Sequence, residues 1–394
     1  MPLAGLTVLD LASLAAAPEI AAFLGDFGAR VIKVEPPGGD PLRRLRDADG
    51  AALQWKLVNR NKQCVRLDLK RPAGRALLDR MLARTDVLVC AHGPDRLRRL
   101  GLEPGPLRER FPRLVVVNLT AYGATGPWAD RPGSGTLAEA TAGLAALTGP
   151  ADGPPGLSPV GLGDTLGVLH GIIAALLGLY ARDRTAAATG DAFDVAMFEP
   201  ILALLGGRIA AAARAGTDPG RRGNRFPTMA PRNTYATADH RWVALTAGTD
   251  ELVRRLFAVI ERPELVDDPR FATNRVRLEN VEALDAIIAD WIGARCCDEV
   301  VAAFAAARVS LAAVEGPLDL LRNPHLAARR SFVEIDDPEI GRVVTPAPRP
   351  RPSGSTRAVP SLGRALGADN DSVYGAWLGL SAAERAALAA DGTI

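Results

Sequence analysis

Lysine is almost absent from this sequence of 394 residues. The chain carries 47 lysines and arginines, of which only Lys33, Lys56, Lys62 and Lys70 are lysines. A GC-rich genome that replaces lysine by arginine would explain this imbalance. It would not explain why all four lysines fall within the first 70 residues. Because a compact ammonium and a planar guanidinium are not interchangeable, we expect lysine to persist where a site does not accept arginine.

The sequence also lacks an excess of charge of either sign. The 47 cationic side chains face 45 acidic ones, which leaves a net charge of +2. This balance argues against a general nucleic-acid binder, and a hydrophobic share of 48% argues against a mostly disordered chain. The length predicts two domains, or one domain that carries an inserted second.

Cysteine and histidine are scarce, with four of each. The cysteines form neither a C-x-x-C pair nor a spaced framework, which argues against a zinc site and a disulfide scaffold; they are Cys64, Cys90, Cys296 and Cys297. The histidines are scattered and form no H-E-x-x-H motif, so no metal site is predicted. A reducing cytoplasm is the expected compartment.

Long hydrophobic runs and the common catalytic motifs are missing as well. The first ten residues lack the basic region and apolar core of a signal peptide. The nearest approach to a membrane span, 166–181, is short and contains His170, so we interpret it as a buried helix and expect no membrane partner. The absence of G-x-G-x-x-G, of a Walker P-loop and of G-x-S-x-G argues against nicotinamide, ATP and serine-hydrolase chemistry.

What the sequence does contain is an alternation of short apolar strands and helices. Apolar runs predict strands at 6–10 and 31–35, and helical spacing predicts a helix at 18–27 between them. This βαβ unit predicts an α/β fold with a parallel sheet. Further strands are predicted at 64–69, 86–90 and 114–117, and helices at 74–84 and 165–182. The glycine-rich loop 121–127 follows a strand at its carboxyl end, where open parallel sheets bind ligands.

The composition changes near Gly216. A basic, turn-rich segment at 220–227 precedes a predicted strand at 242–245 and predicted helices that begin at Asp250 and Val281. These elements indicate a second, smaller unit. The proline-rich stretch 345–360 predicts an extended connector, and 381–389 predicts an amphipathic terminal helix.

Asp164 is the strongest candidate for chemistry. It follows Gly161 and Gly163 and stands immediately before the long predicted helix. The simplest structural interpretation is a helix N-cap, which contributes about 1 kcal/mol. The two glycines favour a catalytic role, because they would let a ligand approach the backbone closely, which a plain cap does not require.

A series of short motifs resembles one known family in order and spacing. The motifs are the segments 6–11 and 24–40, NRNK at 59–62, LDLK at 67–70, LGL at 100–102, YG at 122–123 with GP at 126–127, RPG at 131–133, Gly163-Asp164, APRNTY at 230–235, NPH at 323–325 and LG at 362–363. In this order the chain resembles the class III coenzyme A transferases, the CaiB/BaiF family, over nearly its whole length.

The resemblance implies a particular architecture. We expect a Rossmann-like large α/β domain built from both chain ends, a small α+β domain inserted late, and a homodimer whose two chains interlock. The large domain is expected at 1–205, a linker at 206–224, the small domain at 225–315, and a return segment that completes the large domain at 316–394.

The resemblance also implies a mechanism with Asp164 as the nucleophile. Its carboxylate would attack an acyl-CoA thioester to form a mixed anhydride, then an aspartyl-CoA thioester, from which a carboxylic acid takes the CoA. CoA is then a substrate, and no prosthetic group is expected. The residues expected to contact CoA are Arg43, Leu67, Leu69, Lys70, Gly93, Pro94 and Arg99.

Several positions depart from the family pattern. Family members usually carry other residues at Ala17, Ala91, Gly135, Glu139 and His240. The racemase branch of the family carries a catalytic histidine where this chain has Ser134, which favours CoA transfer over racemisation. An acyl-CoA racemase or isomerase and a catalytically silent CoA-binding homologue are the alternatives. Among the lysines, we expect Lys33 to be partly buried, and Lys62 and Lys70 to flank the nucleotide half of CoA.

Overall fold

A computed structural model describes residues 1–185, 188–353 and 359–394. The strands are β1 (Thr7–Asp10), β2 (Arg30–Glu35), β3 (Lys62–Arg66), β4 (Val87–Cys90), β5 (Val115–Thr120), β6 (Ala192–Ala196), β7 (Arg232–Ala236), β8 (Trp242–Thr246), β9 (Leu311–Ala313), β10 (Phe332–Asp337) and β11 (Gly341–Pro346).

The α-helices are α1 (Ala16–Asp26), α2 (Leu53–Val58), α3 (Pro72–Leu82), α4 (Pro94–Leu100), α5 (Pro104–Arg110), α6 (Gly135–Thr141), α7 (Leu144–Leu147), α8 (Leu162–Arg184), α9 (Phe198–Leu204), α10 (Gly206–Ala215), α11 (Asp250–Val259), α12 (Asn274–Glu279), α13 (Val281–Gly293), α14 (Cys297–Ala306), α15 (Pro317–Arg322), α16 (Pro324–Ala328) and α17 (Ala382–Ala390). Short 3₁₀-helices cover Pro41–Arg44 and Pro263–Val266, and a π-helix covers Asp371–Trp377.

A six-stranded parallel sheet organises the first of two compact units. Its strand order is β3-β2-β1-β4-β5-β6, and every adjacent pair is parallel. This is the doubly wound order of Rossmann-like domains, in which ligands bind where the order reverses, here at the carboxyl ends of β1 and β4. The predicted α/β class and parallel sheet are confirmed.

Both faces of this sheet are covered, which explains its continuous apolar strands. Val116 of β5 packs in a core with Leu77, Leu78 and Met81 of α3. The next residue, Val117, lies on the opposite face, beside α8. Because successive residues of a strand point to opposite faces, a strand buried on both sides is apolar along most of its length, and the polar side chains that it does bury, such as Asp10 and Lys33, are paired.

The first unit comprises Met1–Leu144, Ser158–Ala215 and Leu326–Ile394, so both chain ends contribute to it. Part of the segment predicted as a linker, 206–224, is instead helix α10, which belongs to this unit. The antiparallel hairpin β10–β11 lies here as well, and the sequence did not predict it. Residues 354–358 of the predicted proline-rich connector lie outside the described residues.

The second unit comprises Ala145–Leu157 and Gly216–His325. Its sheet is antiparallel, in the order β7-β8-β9, and helices α11, α13 and α14 pack around a separate apolar core. This is an α+β arrangement. Residues 145–157 and 316–325 group with this unit, although the predicted boundaries assigned them to the large domain.

One face of helix α8 is buried, and most residues on that face are small. Gly167, Gly171, Ala174, Ala175 and Gly178 are buried, and a Cβ at Gly171 would lie 2.3 Å from Ile20 of α1. By length and composition α8 could cross a membrane, but half of its apolar stretch is buried inside the protein. Helices in the core of soluble proteins share these properties.

Candidate active site at the start of helix α8

Asp164 is the third residue of α8, not the residue that precedes the helix. Gly161 is the N-cap, and the helix begins at Leu162, three residues earlier than predicted. Asp164 is half-buried, and its Oδ1 accepts a hydrogen bond from the backbone N–H of Gly135 at 3.2 Å. Gly135 is the first residue of α6. The carboxylate therefore contacts the start of a neighbouring helix, which the N-cap interpretation did not anticipate.

Two glycines make this contact possible. A Cβ at Gly135 would lie 2.4 Å from Oδ2 of Asp164, and a Cβ at Gly161 would lie 2.5 Å from the same oxygen. Any side chain at either position would overlap the carboxylate. The departure from the family pattern at Gly135 thus lies directly against the candidate nucleophile.

Glu139 completes a reciprocal arrangement of the two helices. It lies on α6 and is buried. Its Oε1 accepts from the N–H of Gly163 at 3.1 Å, and its Oε2 accepts from the N–H of Ser158 at 3.4 Å. Each helix therefore supplies a carboxylate that accepts an N–H from the first turn of the other, where backbone donors have no partner within their own helix.

The surroundings raise the pKa of Asp164. Burial is the largest cause, and the negative charge of Glu139 acts in the same direction, while the hydrogen bond from Gly135 opposes them. In the described part of the chain, no lysine or arginine contributes to this balance. A carboxylate that is partly desolvated and has no cationic partner is a better nucleophile than one held in an ion pair.

Asp164 opens into a cleft of about 480 Å³ that lies entirely within the first unit. One set of lining side chains is apolar: Phe23, Leu57, Val58, Val168, Leu169 and Ile172. A second set is charged: Glu19, Asp26, Arg60 and Arg349. A cleft of this size and composition accommodates a small acyl group.

The segment 345–349 also lines this cleft. From the sequence this stretch was predicted only as an extended connector. No local pattern marks it as part of a site, because it meets Asp164 only after the chain has folded back on itself.

The residues expected to contact CoA lie near the carboxyl ends of β2, β3 and β4. Glu35, at the end of β2, links two of them: its carboxylate pairs with Arg43 at 2.7 Å, and its carbonyl accepts from Leu67 N at 2.8 Å. Arg43 also lies over the ring of Trp55, at 3.8 Å from the centroid. The protein itself therefore occupies much of the Arg43 guanidinium: the carboxylate of Glu35 binds two of its N–H groups, and the ring of Trp55 lies against its face.

Arg75 links two more of the expected CoA contacts. Its guanidinium donates to the carbonyl oxygens of Leu69 and Arg99, at 3.1 and 3.0 Å. Lys70, next to Leu69, is exposed. Gly93 is the N-cap of α4 and Pro94 its first residue, and a Cβ at Gly93 would lie 2.6 Å from Asp130. The structure thus places these residues at the carboxyl ends of the parallel strands.

The lysines occupy different positions from those expected. Lys33 is fully buried, not partly, and lies 3.3 Å from Asp40 and 3.7 Å from Asp10. Lys62 is also buried and donates to Asp10 at 2.8 Å and to the carbonyl of Pro18 at 2.7 Å. Its ammonium has no open side, so the prediction that Lys62 flanks the nucleotide is wrong.

Lys56, for which the sequence suggested no role, is buried too. It pairs with Asp337 at 2.9 Å and with Glu339 at 3.0 Å, and so joins α2 to the β10–β11 hairpin. Lysine was therefore retained mainly at buried ion pairs. Three of the four lysines carry this structural role, and only Lys70 remains at the surface.

Two other departures from the family pattern lie at or next to a histidine. His92, next to Ala91, is buried, and burial followed by the charge of Arg96 lowers its pKa to about 4, so the ring is neutral at neutral pH. His240 has φ of 60°, in the left-handed region that favours glycine. Among the described residues, no group of three His, Cys, Asp or Glu side chains could hold a metal ion.

Comparison with known proteins gives a consistent result. The sequence profile of CoA-transferase family III matches residues 3–370. The chain is 34% identical over 392 residues to the succinyl-CoA–D-citramalate CoA-transferase of Chloroflexus aurantiacus, covering 99% of this chain and 97% of that one. It is 34% identical to the succinyl-CoA–L-malate CoA-transferase beta subunit of the same organism, covering 96% and 95%.

Solved structures give the same result for the fold. A CaiB/BaiF family protein from Brucella suis superposes with a TM-score of 0.82 at 29% sequence identity. The match covers 96% of this chain and 99% of that one.

Proposed function

This chain belongs to CoA-transferase family III, and on that premise we propose that it transfers CoA between an acyl-CoA and a carboxylic acid through covalent intermediates on Asp164. One observation carries the proposal. Asp164 is a half-buried carboxylate at the start of a long helix, held by one backbone N–H, with a raised pKa and an open cleft before it.

In the first half-reaction, a carboxylate oxygen of Asp164 attacks the thioester carbonyl. The C–S bond breaks, the CoA thiolate leaves, and an aspartyl–acyl anhydride remains. The thiolate then attacks Cγ of Asp164, which releases the donor acid as its carboxylate and leaves an aspartyl-CoA thioester. The acceptor carboxylate reverses these steps. Neither half-reaction consumes or releases a proton.

The Gly135 N–H supports the steps at Cγ. It already donates to Oδ1 of Asp164, which becomes the carbonyl oxygen of the anhydride and of the thioester. When a nucleophile adds to Cγ, negative charge develops on this oxygen, and a donor placed there stabilises the transition state by about 3 kcal/mol. The positive end of the α8 dipole acts in the same direction.

For CoA we propose a site at the carboxyl ends of β2, β3 and β4. The exposed cations Lys70 and Arg99 suit its phosphates, and the loop around Leu67 and Leu69 offers backbone groups to the nucleotide. Their shared position at one sheet edge supports this proposal, since parallel sheets bind nucleotides at that edge.

We further propose an interlocked homodimer that works in the cytoplasm. The outer side of α8 supports association, because Leu169, Ile173, Leu177 and Tyr180 recur at helical spacing and are each about half exposed. All four cysteines are free thiols, which fits a reducing compartment. Sedimentation of the native chain and fractionation of its source cells test these two proposals.

Trapping tests the covalent mechanism. The chain is incubated with an acyl-CoA, quenched with hydroxylamine and digested, and the peptides are analysed by mass spectrometry. An anhydride or a thioester at Asp164 gives the aspartyl hydroxamate on that residue. The acids named for the relatives, succinate, citramalate and malate, are the first acceptors to assay. Asp164→Ala should lose exchange by at least about 10³-fold while it keeps its thermal midpoint.

Three results would oppose the proposal. Full CoA exchange by Asp164→Ala would remove the nucleophile. Deuterium incorporation at the α-carbon without exchange of CoA would indicate a racemase. Binding of acyl-CoA, seen as a thermal shift, without exchange or hydroxamate would indicate a silent CoA-binding homologue.

A further inference from the structure

The loop 11–15 joins β1 to α1 and leads into the wall of the Asp164 cleft. Ala15 and Ala16, at the start of α1, line that cleft together with Asp164. The loop leaves the sheet at the carboxyl end of β1, where the strand order reverses and where open parallel sheets bind their ligands. The conformation of the loop therefore determines where this part of the cleft wall lies.

Leu14 has an unusual backbone conformation within this loop. Its φ is 66°, in the left-handed region, where the Cβ of a leucine crowds its own backbone. Other residues with positive φ, such as Glu261 and Arg308, directly follow α11 and α14, and a left-handed residue is a common way to end a helix. Leu14 instead precedes a helix, and its side chain is 55% exposed, so burial of the side chain does not explain its conformation.

Asp40, in the loop after β2, supplies the restraint. Its Oδ1 accepts from the N–H of Leu14 at 3.2 Å and from the N–H of Leu42 at 2.9 Å. Asp40 is buried, and its Oδ2 pairs with the buried ammonium of Lys33 at 3.3 Å. Lys33 also donates to the carbonyl oxygen of Ala12. Together the two side chains hold the loop 11–15 at two backbone groups, one on either side of Ser13.

A residue in a strained conformation persists only where its surroundings hold it, and such residues concentrate at functional sites. Here the holding groups are buried charges, which are costly to place in a protein interior even when they are paired. A turn with no further role would need neither charge, because a glycine adopts the left-handed region without strain. A requirement for one fixed course of the loop beside Asp164 explains why both the strain and the charges are present.

We infer that Asp40 is a positioning residue for the reaction at Asp164: together with Lys33 it holds Leu14 in the left-handed conformation and so sets the cleft wall at Ala15 and Ala16. This inference rests on the proposed function, since it takes the acyl group to react in that cleft. Asp40 does not line the cleft itself, so it acts through the backbone of the loop and not by contact with the substrate.

Two substitutions of Leu14 separate its backbone conformation from its side chain. Glycine adopts a positive φ without strain, whereas valine, which is branched at Cβ, does not. Exchange is measured with succinyl-CoA as the donor and malate as the acceptor. We expect Leu14→Gly to keep kcat within about threefold of the wild type and Leu14→Val to lower it by about 10- to 100-fold, the range expected when a wall near the reacting group is displaced by about 1 Å.

The Kd of free CoA should change little in either variant, because the proposed contacts of CoA lie on other loops. Leu45→Val is the matched control, since Leu45 is equally exposed but has φ of −75°, which valine adopts without strain. It should leave kcat unchanged. A loss in Leu14→Gly as large as that in Leu14→Val would mean that the leucine side chain contacts the substrate, and this result would overturn the inference. Wild-type kcat in Leu14→Val would overturn it as well.

Substitutions of Asp40 test the restraint itself. Asp40→Ala removes the acceptor for the N–H of Leu14 but keeps the backbone N–H of residue 40, which donates to Glu35 at 3.0 Å. We expect kcat to fall by about 10- to 100-fold, and Asp40→Asn to retain more of it, because an amide oxygen can still accept from Leu14. A purely structural role would lower the thermal midpoint and leave kcat of the folded protein unchanged, which would overturn the inference. If Asp40→Ala does not fold, the exposed Leu14 variants still decide the question.

Calorimetric binding separates this inference from the proposed function. If the wild type forms no hydroxamate and exchanges no CoA, the proposed chemistry fails, but the affinities for succinyl-CoA and for free CoA still test the loop. Their ratio measures the contribution of the acyl group, which should be kept in Leu14→Gly and reduced in Leu14→Val. An equal ratio in the wild type and in Leu14→Val would overturn the inference. If the wild type exchanges CoA and Leu14→Val does so at the same rate, the inference alone fails.

Discussion

Asp10 and Asp164 are two aspartates of the same unit in opposite environments. Asp10 ends β1, is fully buried and lies within 4 Å of two ammonium groups, those of Lys33 and Lys62. Asp164 is half-buried and has a carboxylate, Glu139, as its charged neighbour. Burial alone raises the pKa of both. For Asp10 the two lysines outweigh burial and lower the pKa, whereas for Asp164 nothing does, and the pKa stays raised.

The difference separates a carboxylate held in ion pairs from one that, among the described residues, has no lysine or arginine as a partner. Asp10 also accepts from the N–H of Ala12, so that it fixes the loop after β1, beside the point where the strand order reverses. Both of its oxygens have partners: Oδ1 accepts from Ala12, and Oδ2 pairs with Lys62. Asp164 lines the cleft and accepts a hydrogen bond at Oδ1, and among the described residues no lysine or arginine is paired with it.

The largest effect should come from Asp10→Asn. It leaves the buried ammonium of Lys62 without an anion and leaves Lys33 with Asp40 alone, and breaking a buried pair in this way costs about 3–5 kcal/mol. We therefore expect a large loss in the free energy of unfolding, measured by denaturant titration, or no soluble protein at all. Asp290→Asn, at an exposed position of α13, is the control and should change stability by less than about 0.5 kcal/mol.

The pH dependence of the same measurement sharpens this prediction. Because the pKa of Asp10 is lower in the folded state, its contribution is present above the unfolded value, near pH 4, and is lost as the pH falls through the folded pKa. Asp10→Asn should lack that part of the acid dependence. If Asp10→Asn kept normal stability but lost activity, Asp10 would belong to the active site, and the contrast between Asp10 and Asp164 would not hold.

Gly135→Ala should affect the other aspartate. The new Cβ would lie 2.3 Å from the backbone N of Asp164 and 2.4 Å from its Oδ2, so turning the side chain cannot relieve the overlap and α6 or the start of α8 must shift. A displacement of about 1 Å at a reacting group costs about 10²-fold in rate, and we expect that loss in kcat/KM. Gly105→Ala in α5 is the matched control, since its Cβ would meet nothing within 4 Å. Equal activity of both variants would show that Asp164 does not react from this position.

The smallest effect should come from Glu139→Gln. The amide keeps one acceptor but removes the negative charge, so the pKa of Asp164 should fall. In the proposed mechanism exchange requires the ionised Asp164, and the acid limb of kcat/KM should therefore move to lower pH. Stability should drop by about 1–3 kcal/mol, because one buried N–H loses its acceptor. An unchanged acid limb with reduced stability would limit Glu139 to holding the helix ends together.

Local patterns in the sequence predicted much of the sheet. The apolar strands at 6–10 and 31–35 and the helix between them appear as β1, β2 and α1, shifted by one or two residues. Strand β3 begins two residues earlier than predicted, because Lys62 and Gln63 are polar and belong to the strand through their partners. Strand β6 and the hairpin β10–β11 were missed, since their sequences alternate weakly and lie between helices or turns.

The active site could be predicted only in part. Asp164 stood out because glycines precede it and a long apolar helix follows. Gly135 and Glu139 were visible as unusual residues in a motif, but their contacts with the start of α8 were not. Arg349 carried no signal, because a cation in a proline-rich stretch is ordinarily a solvated side chain.

By itself, the sequence determined the βαβ order, the parallel sheet and the family, and it singled out Asp164 as the candidate nucleophile, because strand and helix periodicity and ordered motifs are local properties. Only the tertiary structure decided which lysines are buried, that Gly135 faces a carboxylate 29 residues away, and that Arg349 shares a cleft with Asp164. These facts depend on which distant segments pack together, and packing sets the desolvation and the charge partners from which reactivity follows.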